Sequence, residues 1–285
     1  TLLNLLKMPG LSWLRAKTSF NHLERPVFFL PYFYNFFQTY LNFIASHDGI
    51  GMRPAEGVLS DNEINNMLVR LKKNGSEFSM RKVQADEDKV YEANISLFSA
   101  LEFTDNDNSG AFALKRFIAS HCIILAIEGV PAFYFNSFFA TKNDKASYSK
   151  NGIKRDLNRH KWNYSDLISR IDNRDSLENK CFSILKELIH IRKSQPAFHP
   201  NATQFTLNID KSIFSVWRQS RDRKQSIFAI TNVTSSKFIL NTNMINLIDD
   251  EKWFDLLNPD TNFQDNEQIE LKPYQTIWIT NFNSE

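Results

Sequence analysis

The hydrophobic pattern of this 285-residue chain changes period near residue 200. Before that point, short apolar runs alternate with polar loops and with segments of helical spacing, an order typical of α/β proteins. Beyond it, apolar residues recur at every second position in short segments separated by polar turns, as in antiparallel sheets. We therefore expect two domains, an α/β domain over residues 1–200 and a small antiparallel β-sandwich over residues 201–285.

Several segments before residue 200 carry clear helix signals. Ser60 and Glu63 fit a capping box at the start of one helix. Residues 112–127 are apolar nearly all round, which predicts a helix buried against a sheet. Leucines and isoleucines at helical spacing predict a third helix over residues 176–193.

Between these helices the signals are weaker. Residues 76–90 are polar with weak alternation, so we expect a hairpin or loop, followed by a helix from about Ala93 to Leu101. Residues 132–135 are apolar and aromatic, which predicts a short buried strand. A long polar loop is expected over residues 136–164, and loops of that length are usually functional or disordered.

A His-Asp pair follows the most promising apolar run. Residues 40–45 are too short for a helix and predict a buried strand, after which come His47, Asp48 and two glycines that allow a sharp turn or a close approach to a ligand. Polar groups at the carboxyl end of a parallel strand often carry the chemistry of α/β enzymes. The alternative is a structural pair, in which the Asp caps the next segment and the His is a hydrogen-bonded residue of the core.

The composition excludes some partners. The 34 basic and 32 acidic residues give a net charge of +2, which offers no electrostatic basis for binding nucleic acid or an anionic membrane. The most hydrophobic segment, residues 26–37, is shorter than the roughly 20 apolar residues of a membrane span and contains two prolines. Cys122 and Cys181 lie in apolar helical patterns, which indicates buried thiols and a reducing compartment, so we expect a cytoplasmic protein.

Five sequence blocks follow one another in an order that resembles a known family. They are Ser46-His47-Asp48-Gly49-Ile50-Gly51, Val90-Tyr91-Glu92-Ala93-Asn94, Gly129-Val130-Pro131-Ala132-Phe133-Tyr134, Lys142-Asn143-Asp144 and Arg155-Asp156-Leu157-Asn158-Arg159-His160. With the all-β tail, they are similar to the sucrose phosphorylase group of the α-amylase superfamily (glycoside hydrolase family 13), over roughly residues 38–285. The resemblance implies that residues 1–200 are the C-terminal part of a (β/α)8 TIM barrel, with residues 40–46 and 129–135 as its seventh and eighth strands.

The resemblance also implies an activity. Family members transfer glucose from an α-glucoside such as sucrose to phosphate, with retention, at the carboxyl rim of the barrel. By the resemblance, Asp48 matches the carboxylate that stabilises the transition state. Such a carboxylate accepts strong hydrogen bonds from sugar hydroxyls, because these become more acidic as positive charge builds on the ring. His47 and Arg155 match groups that hold the glucose, and Tyr91 matches a loop tyrosine near the acceptor subsite. The expected partners are a small sugar and inorganic phosphate, with no cofactor and no metal.

The chain departs from the family pattern in two respects. The nucleophilic Asp and the acid/base Glu of the family precede the His-Asp block, whereas Glu24 is the only acid in residues 1–37. Retaining chemistry needs both groups about 5 Å apart, so we expect a C-terminal fragment that is inactive by itself. Lys89 stands where sucrose-specific members tend to carry an acid, which leaves glucosylglycerol, glucosylglycerate and sucrose 6′-phosphate as further possible substrates.

Other interpretations remain open. Within the family, an α-amylase-type hydrolase or transglucosidase would cleave the glucoside without phosphate. A decayed sugar-binding protein would keep the rim and bind glucosides without turnover. A structural or partner protein would use the aromatic run Val27–Phe37 as a docking surface.

Overall fold

The computed structural model describes residues 15–17, 39–84, 87–245, 247, 251–264 and 266–281. Glu24 and the aromatic run Val27–Phe37 lie outside the described residues. Within the part of the chain that is described, no helix has the length and apolar character needed to cross a membrane.

The helices and strands are defined as follows. The α-helices are α1 (Asp61–Lys73), α2 (Leu97–Glu102), α3 (Ala113–Ala126), α4 (Lys145–Asn151), α5 (Tyr164–Asp172) and α6 (Leu177–Lys193). Short 3₁₀ helices lie at Arg53–Ala55, Phe135–Phe139, Lys154–Asn158, Pro196–Phe198 and Thr242–Met244. The first strands are β1 (Arg15–Lys17), β2 (Tyr40–Asn42), β3 (Ile50–Gly51), β4 (Glu77–Gln84), β5 (Glu87–Asn94) and β6 (Val130–Pro131). The remaining strands are β7 (Thr203–Thr206), β8 (Ile213–Gln219), β9 (Ser226–Asn232), β10 (Phe238–Asn241), β11 (Trp253–Asp255), β12 (Asn258–Phe263), β13 (Gln268–Leu271) and β14 (Thr276–Thr280).

Strands β2 and β6 lie side by side and run parallel, with Leu41 opposite Val130. Strand β1 pairs antiparallel with the other edge of β2. The strands can approach because Gly129 has a φ of 104°, and a Cβ there would lie 2.6 Å from the carbonyl oxygen of Tyr40. Since the two strands are parallel, the segments that follow them begin at the same edge of the sheet, as the sequence predicts. We call this edge, at the carboxyl ends of β2 and β6, the rim.

Both strands are shorter than predicted. Strand β2 ends at Asn42, and β6 ends at Pro131, so the predicted buried strand over residues 132–135 is wrong. The amide of Ala132 still donates to the carbonyl of Asn42, but the chain then leaves the sheet. Aromatic stacking replaces strand pairing there, because the ring of Phe133 stacks on the ring of Phe138 from the following 3₁₀ helix.

Two other predictions need correction. The segment over residues 136–164 is not one long loop, since it contains α4, which begins where the Asp144 side chain accepts a hydrogen bond from the amide of Ser147. The predicted helix from Ala93 to Leu101 begins only at Leu97, because residues up to Asn94 belong to strand β5. The predicted hairpin is confirmed as β4 and β5, and β3 adds to its β5 edge.

Helix α3 is the centre of the main apolar core. It packs against α2, α6 and the strands β8 and β9, which confirms that this helix is buried against a sheet. The fully buried side chains of Phe117, Leu185, Ala229 and Trp278 belong to one cluster. Side chains from both sides of residue 200 therefore share a core.

The strands after residue 200 are antiparallel, as the sequence predicts. Six of them form one sheet in the order β12-β11-β14-β9-β8-β7, and β10 pairs with β13. A second apolar cluster includes Ile213, Phe228 and Ile230 from the larger sheet and Leu240 and Leu271 from the β10–β13 pair. Strand β12 is not apparent from the sequence, because its six residues are mostly polar and include a proline.

Candidate functional site

The turn after β2 places Asp48 on the rim and against strand β5. Gly49 has a φ of 116°, and a Cβ at this position would lie 2.3 Å from the carbonyl oxygen of Ala93. The side chain of Asn94 donates to the Asp48 carbonyl at 3.2 Å. Because the backbone of the turn lies directly on the end of β5, only glycine fits at position 49.

Three side chains that can carry positive charge surround the Asp48 carboxylate. Its Oδ1 lies 3.2 Å from Nη1 of Arg155, 3.0 Å from Nη2 of Arg159 and 3.3 Å from Nε2 of His47. Arg159 also donates through Nε to the carbonyl of His47 at 2.9 Å, which holds the turn from outside. The structure thus brings together Asp48, His47 and Arg155, and their catalytic and binding roles stay predictions.

The cluster is open to solvent on one side. The Asp48 side chain is 37% exposed, and those of both arginines are similarly accessible, whereas His47 is more exposed. Contacts between partly exposed charges add little to stability, because water and salt screen them. Their arrangement can therefore change when a polar ligand arrives, at small cost to the fold.

Glu92 is a member of the site that the sequence reasoning missed. It lies in β5 with a side chain only 5% exposed, and its Oε2 accepts hydrogen bonds from Nη2 and Nε of Arg155 at 3.0 and 3.2 Å. These bonds raise the pKa of Arg155 above its ordinary value. The two-residue period of a strand is the sequence signal that could have identified Glu92. In a strand, residues 92 and 94 fall on one face, and this face meets the Asp48 turn.

Tyr91 lies in strand β5 rather than in the predicted loop. Its carbonyl accepts a hydrogen bond from the amide of Met52 at 2.9 Å. Its phenol lies near enough to Arg155 to contribute to the raised pKa of that side chain, after the larger effect of Glu92. An acceptor-side role for Tyr91 stays a prediction.

Polar contacts fix the loop that carries both arginines. Asn158 donates to the carbonyl of Ser46 in the Asp48 turn. Nδ1 of His160 lies 2.8 Å from Oδ2 of Asp144. Burial alone would raise the pKa of Asp144, but hydrogen bonds from the Ser147 amide and from His160 outweigh it and lower that pKa. These contacts indicate a structural role for His160. They also fix the backbone on both sides of Arg159, through Asn158 and His160.

The charges of the site suit an uncharged, hydroxyl-rich ligand or a small anion. Two guanidinium groups, of Arg155 and Arg159, face two carboxylates, of Asp48 and Glu92, so their formal charges cancel. Among the described residues, no group of three or more His, Cys, Asp or Glu side chains is placed to hold a metal ion.

Comparisons with known proteins agree with the sequence blocks. No family model matches the chain. The chain is 33% identical over 241 residues to the glucosylglycerate phosphorylase of Allomeiothermus silvanus. The aligned region covers 85% of this chain and 40% of that protein. The chain is 32% identical over 242 residues to the glucosylglycerate phosphorylase of Escherichia coli K12, again over 85% of this chain and 41% of the relative. A sucrose phosphorylase from Bifidobacterium adolescentis is 25% identical over 186 residues, 61% of this chain and 34% of that protein.

The fold is also similar to that of a solved structure. The crystal structure of sucrose 6F-phosphate phosphorylase from Thermoanaerobacter thermosaccharolyticum matches with a TM-score of 0.57 at 18% identity, over 81% of this chain and 40% of that chain. The chain spans about 40% of the length of the first curated relatives. The resemblance drawn from the five blocks is confirmed at the level of homology.

Proposed function

We propose that this homologue of glycoside phosphorylases supplies the sugar-binding rim for transfer of glucose from an α-glucoside to phosphate with retention. The observation that carries the proposal is the Asp48 carboxylate, which the turn on β5 presents at the rim beside Arg155 and Arg159. A carboxylate held in this way can accept hydrogen bonds from sugar hydroxyls that become more acidic in the transition state.

The proposed architecture is the C-terminal part of a (β/α)8 barrel over residues 1–200, followed by a β-sandwich domain over residues 201–285. The parallel pairing of β2 with β6, as the seventh and eighth strands, supports the barrel. The antiparallel sheets and their shared apolar cluster support the sandwich. A cytoplasmic location is part of the proposal, and the two free, buried cysteines support it.

Each site residue has a proposed role. Asp48 would stabilise the charged sugar ring, His47 would donate to a sugar hydroxyl, and Arg155 would hold the far side of the glucose. Tyr91 would line the acceptor side, where phosphate replaces the leaving group. The nucleophile and the acid/base group of a retaining reaction are not supplied by the five matched blocks, so we expect binding rather than turnover from this chain alone. Phosphate is the proposed co-substrate, and no cofactor is invoked.

Glucosylglycerate is the substrate that we favour, ahead of sucrose, glucosylglycerol and a sucrose phosphate. Two of the similar relatives reported above carry its name. The glycerate group is a carboxylate, which suits a site with Arg159 beside Asp48. We propose Lys89, two residues before Tyr91, as a second cation on the acceptor side.

The first experiment measures binding. We expect the 285-residue chain to bind glucosylglycerate in a calorimetric titration, and Asp48→Asn to weaken binding about tenfold or more, because a charge-assisted hydrogen bond is lost. Asp172→Asn, at the exposed end of α5, is the control and should leave the affinity unchanged. Equal affinity of wild type and Asp48→Asn would contradict the proposed role of Asp48.

The second experiment measures turnover in a hybrid protein. The chain replaces the segment it matches in the Allomeiothermus silvanus phosphorylase, and release of glycerate from glucosylglycerate is followed with and without phosphate, with glucose 1-phosphate and glucose assayed as the two possible products. Phosphate-dependent release supports the proposal. Cleavage at the same rate without phosphate would indicate a hydrolase, and binding without any turnover would indicate a sugar-binding protein.

A further inference from the structure

The backbone of Glu128 lies between strand β2 and the C-terminal sheet. Its carbonyl accepts a hydrogen bond from Nδ2 of Asn42 in β2 at 2.7 Å, and its amide donates to Oε1 of Gln204 in β7, also at 2.7 Å. The next amide, that of Gly129, donates to the carbonyl of Pro200 at 3.1 Å. The segment that leads from α3 into β6 is therefore bound by β2 on one side and by the start of the C-terminal sheet on the other.

Two arginines hold the end of α3 at the same place. Arg192 donates through Nε to the carbonyl of Leu125 and through Nη2 to that of Gly129, at 2.8 and 3.1 Å. Arg218, a fully buried side chain of β8, donates through Nη1 to the carbonyl of Ala126 at 2.9 Å. The last carbonyls of a helix have no partners within the helix, and cations are favourable there because of the helix dipole. These bonds fix the direction in which the chain leaves α3.

Strand β6 needs this external support because it is short. It has two residues, and it pairs with β2 through Leu41–Val130 and Asn42–Pro131. Two residue pairs contribute few ladder hydrogen bonds, and each hydrogen bond adds little net free energy. The segment before β6 therefore determines how the strand lies against β2.

The position of β6 reaches the rim through two further contacts. Tyr134, three residues after β6, donates through its hydroxyl to the carbonyl of Asn158 at 3.0 Å. Asn158 lies in the loop that carries both rim arginines, and its side chain donates to the carbonyl of Ser46 in the turn after β2. A shift of β6 would therefore displace the arginine loop and the turn relative to each other.

We propose that Gln204 is a positioning residue of the rim: by binding the amide of Glu128, it fixes β6 against β2 and so sets the arrangement of Asp48 and the two arginines. The inference rests on the proposed function, because the affinity of the rim for a glucoside is what this arrangement determines. Gln204 acts through Glu128 and is not proposed to contact the ligand. It can be changed with little effect on the core, since it is half-buried on β7, an edge strand of the sheet.

The test combines glucoside titration with hydrogen exchange in the full 285-residue chain. Gln204→Met keeps the length of the side chain but removes the acceptor oxygen, whereas Gln204→Glu keeps an acceptor for the Glu128 amide. We expect Gln204→Met to bind methyl α-glucoside about three- to tenfold more weakly, because the loss of one hydrogen bond releases β6. Amide exchange in residues 127–134 should become about tenfold faster, with no change in β8 and β9. Gln204→Glu should keep both values within about twofold of the wild type.

Gln268→Met is the matched control, because Gln268 is an exposed glutamine of another C-terminal strand, β13. It should change neither the glucoside affinity nor the exchange of residues 127–134. Gln204→Asn is shorter by one methylene group and cannot reach the Glu128 amide in the same way, so it should behave as Gln204→Met does. It carries the test if Gln204→Met does not fold, as judged by circular dichroism.

The outcomes separate this inference from the proposed function. Equal losses in Gln204→Met and Gln204→Glu, or unchanged glucoside affinity in Gln204→Met, would overturn the positioning role while Asp48 could still bind sugar. Faster exchange throughout the C-terminal sheet would indicate a purely structural role and would overturn it as well. If the wild-type chain does not bind the glucoside, the proposed function fails, and the positioning role of Gln204 fails with it.

Discussion

Among the described residues, two of the places where carboxylates meet arginines differ strongly in burial. At the rim, Asp48 is 37% exposed and has Arg155, Arg159 and His47 around one oxygen. In the helical core, Asp107 and Arg116 are 3% and 1% exposed. The comparison shows that the same pair of residue types can serve the fold in one place and remain available to a ligand in the other.

The buried cluster satisfies its carboxylate completely. Oδ1 of Asp107 accepts from the hydroxyl of Ser109 and the amide of Ala111, and Oδ2 accepts from the amide of Phe112 and Nη2 of Arg116. Burial would raise the pKa of Asp107, but these hydrogen bonds outweigh it and lower the pKa to about 2. No capacity is left for a ligand at this carboxylate.

Arg116 connects the helices to the C-terminal sheet. It donates to the carbonyls of Leu101 and Glu102 at the end of α2 and to the hydroxyl of Tyr274, which lies between β13 and β14. Its guanidinium also lies over the ring of Tyr274, 4.9 Å from the centroid. The pair therefore joins α2, α3 and the sheet.

The largest expected effect is the loss of the buried pair. Asp107→Asn should lower the free energy of unfolding by about 3–5 kcal/mol, because it leaves the Arg116 charge buried without its counter-ion. Urea denaturation of the 285-residue chain at pH 7 measures the change. Asp48→Asn is the comparison, and it should cost less than about 1 kcal/mol, because partly exposed ion pairs contribute little. Similar losses for the two variants would remove the distinction between the clusters.

A third carboxylate sharpens the comparison, because Asp255 is buried and forms no ion pair with any side chain that the structure describes. Burial raises the pKa of Asp255 to about 6, although the amides of Trp278 and Leu257 donate to its Oδ1 and oppose the shift. With a folded pKa above the unfolded value of 3.8, the native state binds the proton more tightly. Stability from this group is therefore present below about pH 4 and lost as the pH rises through about 6.

Asp255→Asn should remove this pH dependence, since the amide keeps the acceptor oxygen and cannot ionise. We expect the variant to be more stable than the wild type by about 3 kcal/mol at pH 7 and equal to it near pH 3.5. Urea denaturation across this range measures the difference. Asp107 has the opposite sign, because its pKa is depressed, and its contribution is lost as the pH falls from about 4 to 2. A difference between variant and wild type that does not change with pH would contradict the assignment.

A smaller difference between two variants is expected at the rim turn itself. Gly49→Ala and Gly57→Ala both place a side chain on a backbone with positive φ, 116° and 75°. At Gly57 nothing lies within 4 Å of the added Cβ, so only conformational strain of about 1 kcal/mol is expected. At Gly49 the added atom overlaps the carbonyl of Ala93, so this variant should cost about 1–3 kcal/mol more. Thermal or urea unfolding measures both, and equal costs would show that the turn does not depend on its contact with β5.

Local signals allowed much of the fold to be predicted. The capping box is present, with the Ser60 amide donating to Oε2 of Glu63 at 2.9 Å and the Glu63 amide donating to Oγ of Ser60 at 3.4 Å. Helices α3 and α6 lie within one residue of their predicted bounds. Their apolar positions recur within a few residues, so the pattern needs no knowledge of distant contacts.

The sequence was less informative where a segment depends on distant partners. Residues 132–135 are apolar enough for a strand, yet aromatic stacking takes them out of the sheet. The polar strand β12 forms because β11 lies beside it, not because of its own residues. In the site, the Asp48 and Arg155 blocks could be found by their order along the chain, whereas Glu92 lies between the predicted hairpin and the helix predicted from Ala93, so no strand face was assigned to it.

The sequence by itself determined the helix caps, the period of the strands and the resemblance that its five ordered blocks carry. The tertiary structure decided which charges pair: Glu92 meets Arg155 from 63 positions away, and Asp48 meets Arg159 from 111 positions away. The reason is that the energy of an ion pair depends on distance in space and on local burial. Neither quantity is encoded within a few residues of the charged side chain, so both appear only when the chain is folded.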